Sequence, residues 1–209
     1  MNSSVMTKLT LVVSALVLLS AAAAGGYVAW RWLDHSAQSS SEPASSSAAY
    51  AGLSSEIALT DHNGKPLRMS DLHGKVVMLF FGYTHCPDIC PATLYSMAQA
   101  NALLGESGGS LTGVLVTVDP ARDNSERLRE YVTFFDPGFI GLTGDEEQLA
   151  RFARDYGAAF EKGEVDAGGG YLMGHTTFGY LLDRQGRVAQ LLQATDTPET
   201  IAAAAQELM

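Results

Sequence analysis

The chain has 209 residues, 46% of them hydrophobic and 17% charged, a balance that suits one globular domain with accessory segments. Its formal net charge is −10, and because Lys8, Arg31, Asp34 and Glu42 cancel before position 50, the whole excess falls on the remainder. Such a domain repels phosphate backbones, which excludes nucleic acid as a partner; the acidity serves solubility or docking onto a basic face.

In chain order, residues 1–8 read as a cytoplasmic N-terminus, and Leu9 to Trp30 is a nearly unbroken apolar run between Lys8 and Arg31. At about 1.5 Å per residue it can cross a bilayer core of about 30 Å. It shows no polar face, unlike a core helix. A cleaved signal peptide is the alternative, with Leu9 to Leu19 as its apolar region and Ala22 to Ala24 at the cleavage site. Tyr27, Val28, Ala29, Trp30 and Trp32 continue the apolar character and favour an uncleaved anchor. Either reading exports the rest of the chain. The expectation is a single-pass inner-membrane protein with its C-terminal domain in the periplasm. Residues 31–50, rich in Ser and Ala from Ser36 to Ala49, read as a flexible tether. The folded domain is expected over residues 51–209.

Within it, Ile57–Thr60 and Leu67–Met69 flank the turn signal Asn63-Gly64. Val76 to Tyr83 is continuously apolar, as a central buried strand requires. A helix is expected over Pro91–Leu104, a buried strand over Leu111–Val118, a helix over Asp123–Phe135, a short strand at Phe139–Leu142 and a helix over Asp145–Tyr156. Glu161 to Gly170, acidic and glycine-rich, reads as an exposed loop or hairpin. Thr176–Leu182 and Arg187–Leu192 are expected strands around Asp183-Arg184-Gln185-Gly186. A last helix, Thr197–Leu208, has Thr197 as cap and Pro198 in its first turn. The alternation predicts an α/β fold, a mixed central sheet with helices on both faces.

The chain has two cysteines, Cys86 and Cys90. As a staple the pair is poor: closing a loop of about 5 residues is worth roughly 2 kcal/mol, against nearly 5 for about 100 residues. They lie in Phe81-Gly82-Tyr83-Thr84-His85-Cys86-Pro87-Asp88-Ile89-Cys90-Pro91, after the expected central strand, where open α/β sheets build their sites. Pro87 and Pro91 push both cysteines away from helical angles. Pro91 suits the first helical position, which makes Cys90 the cap, where the helix dipole favours thiolate. An incidental disulfide, dithiol–disulfide exchange and a metal site compete for the pair. Three intervening residues, one more than the usual redox spacing, shift the weight toward metal.

A third ligand is offered by His175, in Gly170-Tyr171-Leu172-Met173-Gly174-His175-Thr176 before an expected strand. Thioredoxin-type oxidoreductases place a cis-proline at this point. Here no proline occurs between Pro137 and Pro198. Two thiolates and an imidazole suit Cu(I), and with added ligands Cu(II). Zinc in a closed site demands a fourth ligand. His85 could tune the neighbouring thiol or simply pack, and Met173 could be a soft ligand or a core residue. Asp119, Arg122 and Asp123 read either as a helix start, with Asp119 as cap, or as support for the cysteine loop.

The segment Thr84-His85-Cys86-Pro87-Asp88-Ile89-Cys90-Pro91, with Thr117-Val118-Asp119-Pro120-Ala121-Arg122-Asp123, Gly141-Leu142-Thr143-Gly144 and His175-Thr176, resembles the Sco/SenC family of copper chaperones for cytochrome c oxidase. The resemblance runs from about Leu53 to the C-terminus. It implies a thioredoxin-like fold on a membrane tether, copper (Cu+ or Cu2+) held by Cys86, Cys90 and His175, and delivery to the binuclear copper site of cytochrome c oxidase subunit II. A separate copper donor is then required. The protein is expected to be a metallochaperone rather than an enzyme. The alternative is a thiol–disulfide oxidoreductase in which Cys86 and Cys90 are the redox-active pair, acting on the oxidase cysteines or other exported thiols. A thiol peroxidase is a weaker fit, since it needs an arginine beside the cysteine and only Arg122 is a candidate. Many family members carry Asp before the histidine, where this chain has Gly174; a carboxylate there could orient the imidazole.

Overall fold

The structure, a computed structural model, describes residues 50, 53–106 and 109–209. They belong to one compact unit, Ser46–Met209. The expected anchor at 9–30 and most of the tether lie outside the described residues. Among the described residues, no helix is long and apolar enough to cross a membrane.

A seven-stranded sheet forms the core, in the order β2-β1-β5-β4-β3-β8-β9. Its first strands, β1 (Leu59–Asp61) and β2 (Pro66–Leu67), make the hairpin signalled by Asn63-Gly64. Gly64 takes φ +78° there, a left-handed conformation that a Cβ disfavours. A 3-10 turn, Met69–Leu72, takes the end of what the pattern suggested as a longer second strand. The central strands β3 (Val76–Gly82), β4 (Leu111–Thr117) and β5 (Ile140–Thr143) run parallel. Strands β8 (Gly179–Leu182) and β9 (Val188–Leu192) add antiparallel at one side, and β1 pairs antiparallel with β5 at the other. The sheet is mixed, as the element order implied.

Every residue of β3 is buried, so both sheet faces are covered. Successive side chains on a strand point to opposite faces. Phe81 meets Phe152 and Tyr156 of the α3 region (Glu146–Asp155) at ring-centroid distances of 6.2 and 6.3 Å. On the opposite face, a Cβ at Gly82 would lie 2.9 Å from Cys90 Sγ of α1 (Ile89–Glu106). Helices therefore flank both faces. Helix α4 (Pro198–Gln206) packs against α1, its first turn capped by the Thr197 hydroxyl, which accepts the Thr200 N–H. Helix α2 (Ser125–Phe135) joins β4 to β5.

Strands β6 (Phe160–Lys162) and β7 (Met173–His175) form a separate two-stranded antiparallel sheet. The acidic glycine-rich stretch is thus the tip of a hairpin, and His175 closes strand β7, with three residues between it and β8.

Candidate metal centre

The site is assembled where parallel strands β3 and β4 end, at the paired residues Gly82 and Thr117. The chain leaves β3 through a turn closed by the Cys86 N–H on the Tyr83 carbonyl at 3.3 Å. It then enters α1 two residues earlier than Pro91 suggested. Cys90 is the second helical residue, not the cap, and Pro91 the third. Proline is tolerated there because first-turn N–H groups have no intrahelical acceptor. The first such bond runs from Ala92 N–H to the Asp88 carbonyl at 3.3 Å.

This placement reverses the expectation about the thiols. Cys90 is fully buried, and burial pushes its thiol far up, against the opposing pull of the Tyr83 backbone N–H. Cys86 is half-buried. Burial raises its thiol too, but backbone N–H groups of Asp88, Cys90 and Ile89, with the Cys90 thiol, outweigh it and bring the value below that of an ordinary cysteine. The activated thiol is Cys86.

The turn is fastened from beneath by Asp123, fully buried. Its carboxylate accepts the Thr84 N–H at 3.0 Å, the Thr84 hydroxyl at 2.7 Å and the Thr117 hydroxyl at 2.7 Å. Asp123 is therefore not an exposed first-turn residue of α2, whose cap is Asn124, and Asp119 is not a cap either. Asp119 instead accepts the Arg122 side chain and, at 2.8 Å, the Tyr171 hydroxyl. The Arg122 guanidinium stacks on Tyr171 at 3.6 Å and lies 5.7 Å from the Tyr83 ring. Support of the cysteine loop is the reading that holds for this turn. Arg122 pairs with Asp119 and lies against these two rings.

His175 comes from the other side of the site. Its Nδ1–H donates to the Thr176 carbonyl at 2.9 Å, which leaves Nε2 with the free lone pair, 3.7 Å from Cys90 Sγ. Phe80 and Tyr83 form T-shaped pairs with the ring at centroid distances of 6.0 and 5.9 Å. Burial lowers the histidine below its ordinary value, offset in part by the Thr176 carbonyl, which favours the neutral form that can ligate a metal. The carbonyl orients the ring, a part that a carboxylate at position 174 could play and Gly174 cannot. Gly174 lies opposite Glu161, whose Cγ would be 3.3 Å from a Cβ there.

The donor atoms of Cys86, Cys90 and His175 all lie within 4.8 Å of one another. The chemistry of the set, two sulfurs and one neutral imidazole nitrogen, fits a soft ion such as Cu(I) and accommodates Cu(II). His85 faces elsewhere: its Nδ1 is 3.1 Å from the Thr84 hydroxyl and 3.7 Å from Asp123, with the side chain 43% exposed. Met173 packs its side chain against the core. Its backbone N–H donates to the Tyr83 hydroxyl at 3.2 Å, a contact that no sequence pattern signalled.

Residues 46–209 match the model of the SCO1/SenC family. This chain belongs to that family. It is 38% identical over 136 residues to the mitochondrial SCO1 homologue of Mus musculus, across 64% of this chain and 48% of the relative, so it spans about half of that protein's length. With the mitochondrial SCO2 homologue of the same organism it shares 35% over 178 residues, 81% of this chain and 69% of the relative. The crystal structure of Arabidopsis thaliana ScoI with copper bound has a TM-score of 0.70 to this structure, with 32% identity over 74% of this chain and 97% of that one. The SCO1/SenC assignment agrees with a thioredoxin-like α/β core.

Proposed function

We propose that this SCO1/SenC protein holds one copper ion between Cys86 Sγ, Cys90 Sγ and His175 Nε2 and passes it to the binuclear copper site of cytochrome c oxidase subunit II. The observation that carries the reading is the convergence of three donor atoms from two separate segments, the cysteine turn and strand β7, within 4.8 Å, with the histidine lone pair turned toward the sulfurs. The copper bound in the Arabidopsis thaliana relative supports the choice of metal. In this reading the segment at 9–30 anchors the protein in the inner membrane and the domain works in the periplasm, receiving copper from a separate donor.

The two thiols divide the work. Cys90 sits deep and holds the ion from within, while half-buried Cys86 is the ligand an incoming acceptor thiolate can replace. Transfer then proceeds by ligand substitution: an acceptor thiol loses its proton and takes the copper, and Cys86 takes up a proton as it leaves. No change in oxidation state is needed.

A second reading rests on the opposite displacement of the two thiols. An accessible low-pKa thiol beside a buried high-pKa one is the arrangement that disulfide exchange uses. The Cys86 thiolate would attack a partner disulfide, and Cys90 would resolve the mixed disulfide, leaving the partner reduced and this pair oxidised. His175→Ala separates the two in cells at limiting copper. Copper delivery requires that this variant lose oxidase activity as Cys86→Ala does, with partial rescue by added copper. A fully active oxidase in His175→Ala cells but not in Cys86→Ala cells would establish exchange instead.

A further inference from the structure

His175 rides on a hairpin that shares no strand pairing with the main sheet. Its distance from the thiols is therefore set by the three residues that lead into β8 and by a few discrete bonds between hairpin and body. Tyr83 supplies a central one. It follows β3 directly, is 2% exposed, and accepts the Met173 N–H on its phenol oxygen at 3.2 Å, two residues before His175. Its ring forms a T-shaped pair with the imidazole, planes at 87°. Its backbone carbonyl accepts the Cys86 N–H at 3.3 Å, and its backbone N–H is directed at the Cys90 sulfur. One residue thus touches the setting of all three donors, and its phenol oxygen is the atom that reaches the hairpin backbone.

We infer that the Tyr83 phenol is the positioning group that holds His175 against the two thiols and thereby sets the preference of the site between Cu(II) and Cu(I). The inference rests on the copper reading proposed for this site. Two soft thiolates already satisfy Cu(I), whereas Cu(II) depends on the imidazole. Loosening the hairpin therefore weakens Cu(II) selectively. The hairpin does not detach when this bond is lost, because Tyr171 still donates to Asp119 at 2.8 Å and its ring lies 3.6 Å from the Arg122 guanidinium.

The test is Tyr83→Phe in the full-length chain, which deletes one oxygen and keeps the ring and every backbone contact. Cu(II) and Cu(I) affinities are measured by competition, the Cu(II) nitrogen coupling by EPR, and exchange of the Met173 amide in the metal-free protein by NMR. Losing one such bond predicts Cu(II) binding about five- to tenfold weaker, with weaker nitrogen coupling. The Met173 amide should exchange faster by a similar factor, and Cu(I) affinity should hold within about twofold. Tyr171→Phe, which cuts the outer attachment only, should leave the Cu(II)/Cu(I) ratio at the wild-type value. The inference is overturned if Cu(II) affinity is unchanged, if both oxidation states weaken together, if β3 amides exchange as fast as Met173, or if Tyr171→Phe shifts the ratio equally. A wild-type chain that binds neither ion refutes the copper reading alone, and the Met173 amide still decides whether the phenol holds the hairpin.

Discussion

Gly82→Ala places one methyl group against the metal centre. A Cβ at Gly82 would stand 2.9 Å from Cys90 Sγ, 2.9 Å from Phe80 Cε1 and 3.1 Å from Leu115 Cδ1. All three neighbours are fully buried, so none can swing into solvent. Inserting a carbon into such a core costs about 1–3 kcal/mol. For a domain of this size about 2 kcal/mol lowers Tm by roughly 4–8 °C. The collision includes a ligand sulfur, so copper affinity should fall as well. The contrast is Gly105→Ala, near the end of α1, where a Cβ meets nothing within 4 Å. There helix propensity alone acts, and about 0.5–1 kcal/mol of added stability is expected. Calorimetry of both metal-free variants, with copper titration of each, reads the outcome. A Gly82→Ala chain with wild-type Tm and wild-type copper affinity would refute the packing of Cys90 on β3.

Asp123→Asn keeps the shape of the side chain but turns an amide NH2 toward donors that a carboxylate accepts; about 2–3 kcal/mol of stability should be lost in chemical denaturation. Thiol alkylation of the metal-free chain should modify Cys86 first, with a pH–rate midpoint below that of an ordinary cysteine because its thiol is lowered, while Cys90 stays protected at neutral pH; equal rates at both positions would contradict the assignment. Oxidation to the Cys86–Cys90 disulfide should abolish copper binding, since a disulfide offers no thiolate, and reduction should restore it. An oxidised chain that binds copper as tightly as the reduced one sinks the ligand set.

The parts legible in the sequence are those with local physical causes. The unbroken run at Val76–Gly82 announced a strand buried on both faces, and Thr197-Pro198 announced a helix start. The cysteine spacing and His175 marked the site because soft ligands so disposed have few other uses. What escaped depends on partners distant in the chain. Pro91 seemed to set the helix start, but tertiary packing of Cys90 on Gly82 draws the preceding turn into α1. Asp123 looked like a helix-start charge until folding brought Thr84 to it across 39 positions. Strand β7, with a glycine at its centre and only three residues, has no periodic signature; its pairing with β6 spans the acidic loop. The Tyr83–Met173 bond has no local trace either, because the two residues meet only when that hairpin closes on the end of β3.

The central claim is that Cys86, Cys90 and His175 together bind one copper ion. Copper stoichiometry of the reduced full-length chain under anaerobic conditions, with Cu(II) absorption and EPR spectra of wild type, Cys86→Ala, Cys90→Ala and His175→Ala, tests it most directly. The account predicts one copper per wild-type chain, a sulfur-to-copper charge-transfer band, and nitrogen coupling that disappears in His175→Ala. Tight binding should be lost in either cysteine variant. One copper retained in both cysteine variants, or nitrogen coupling unchanged in His175→Ala, would contradict it.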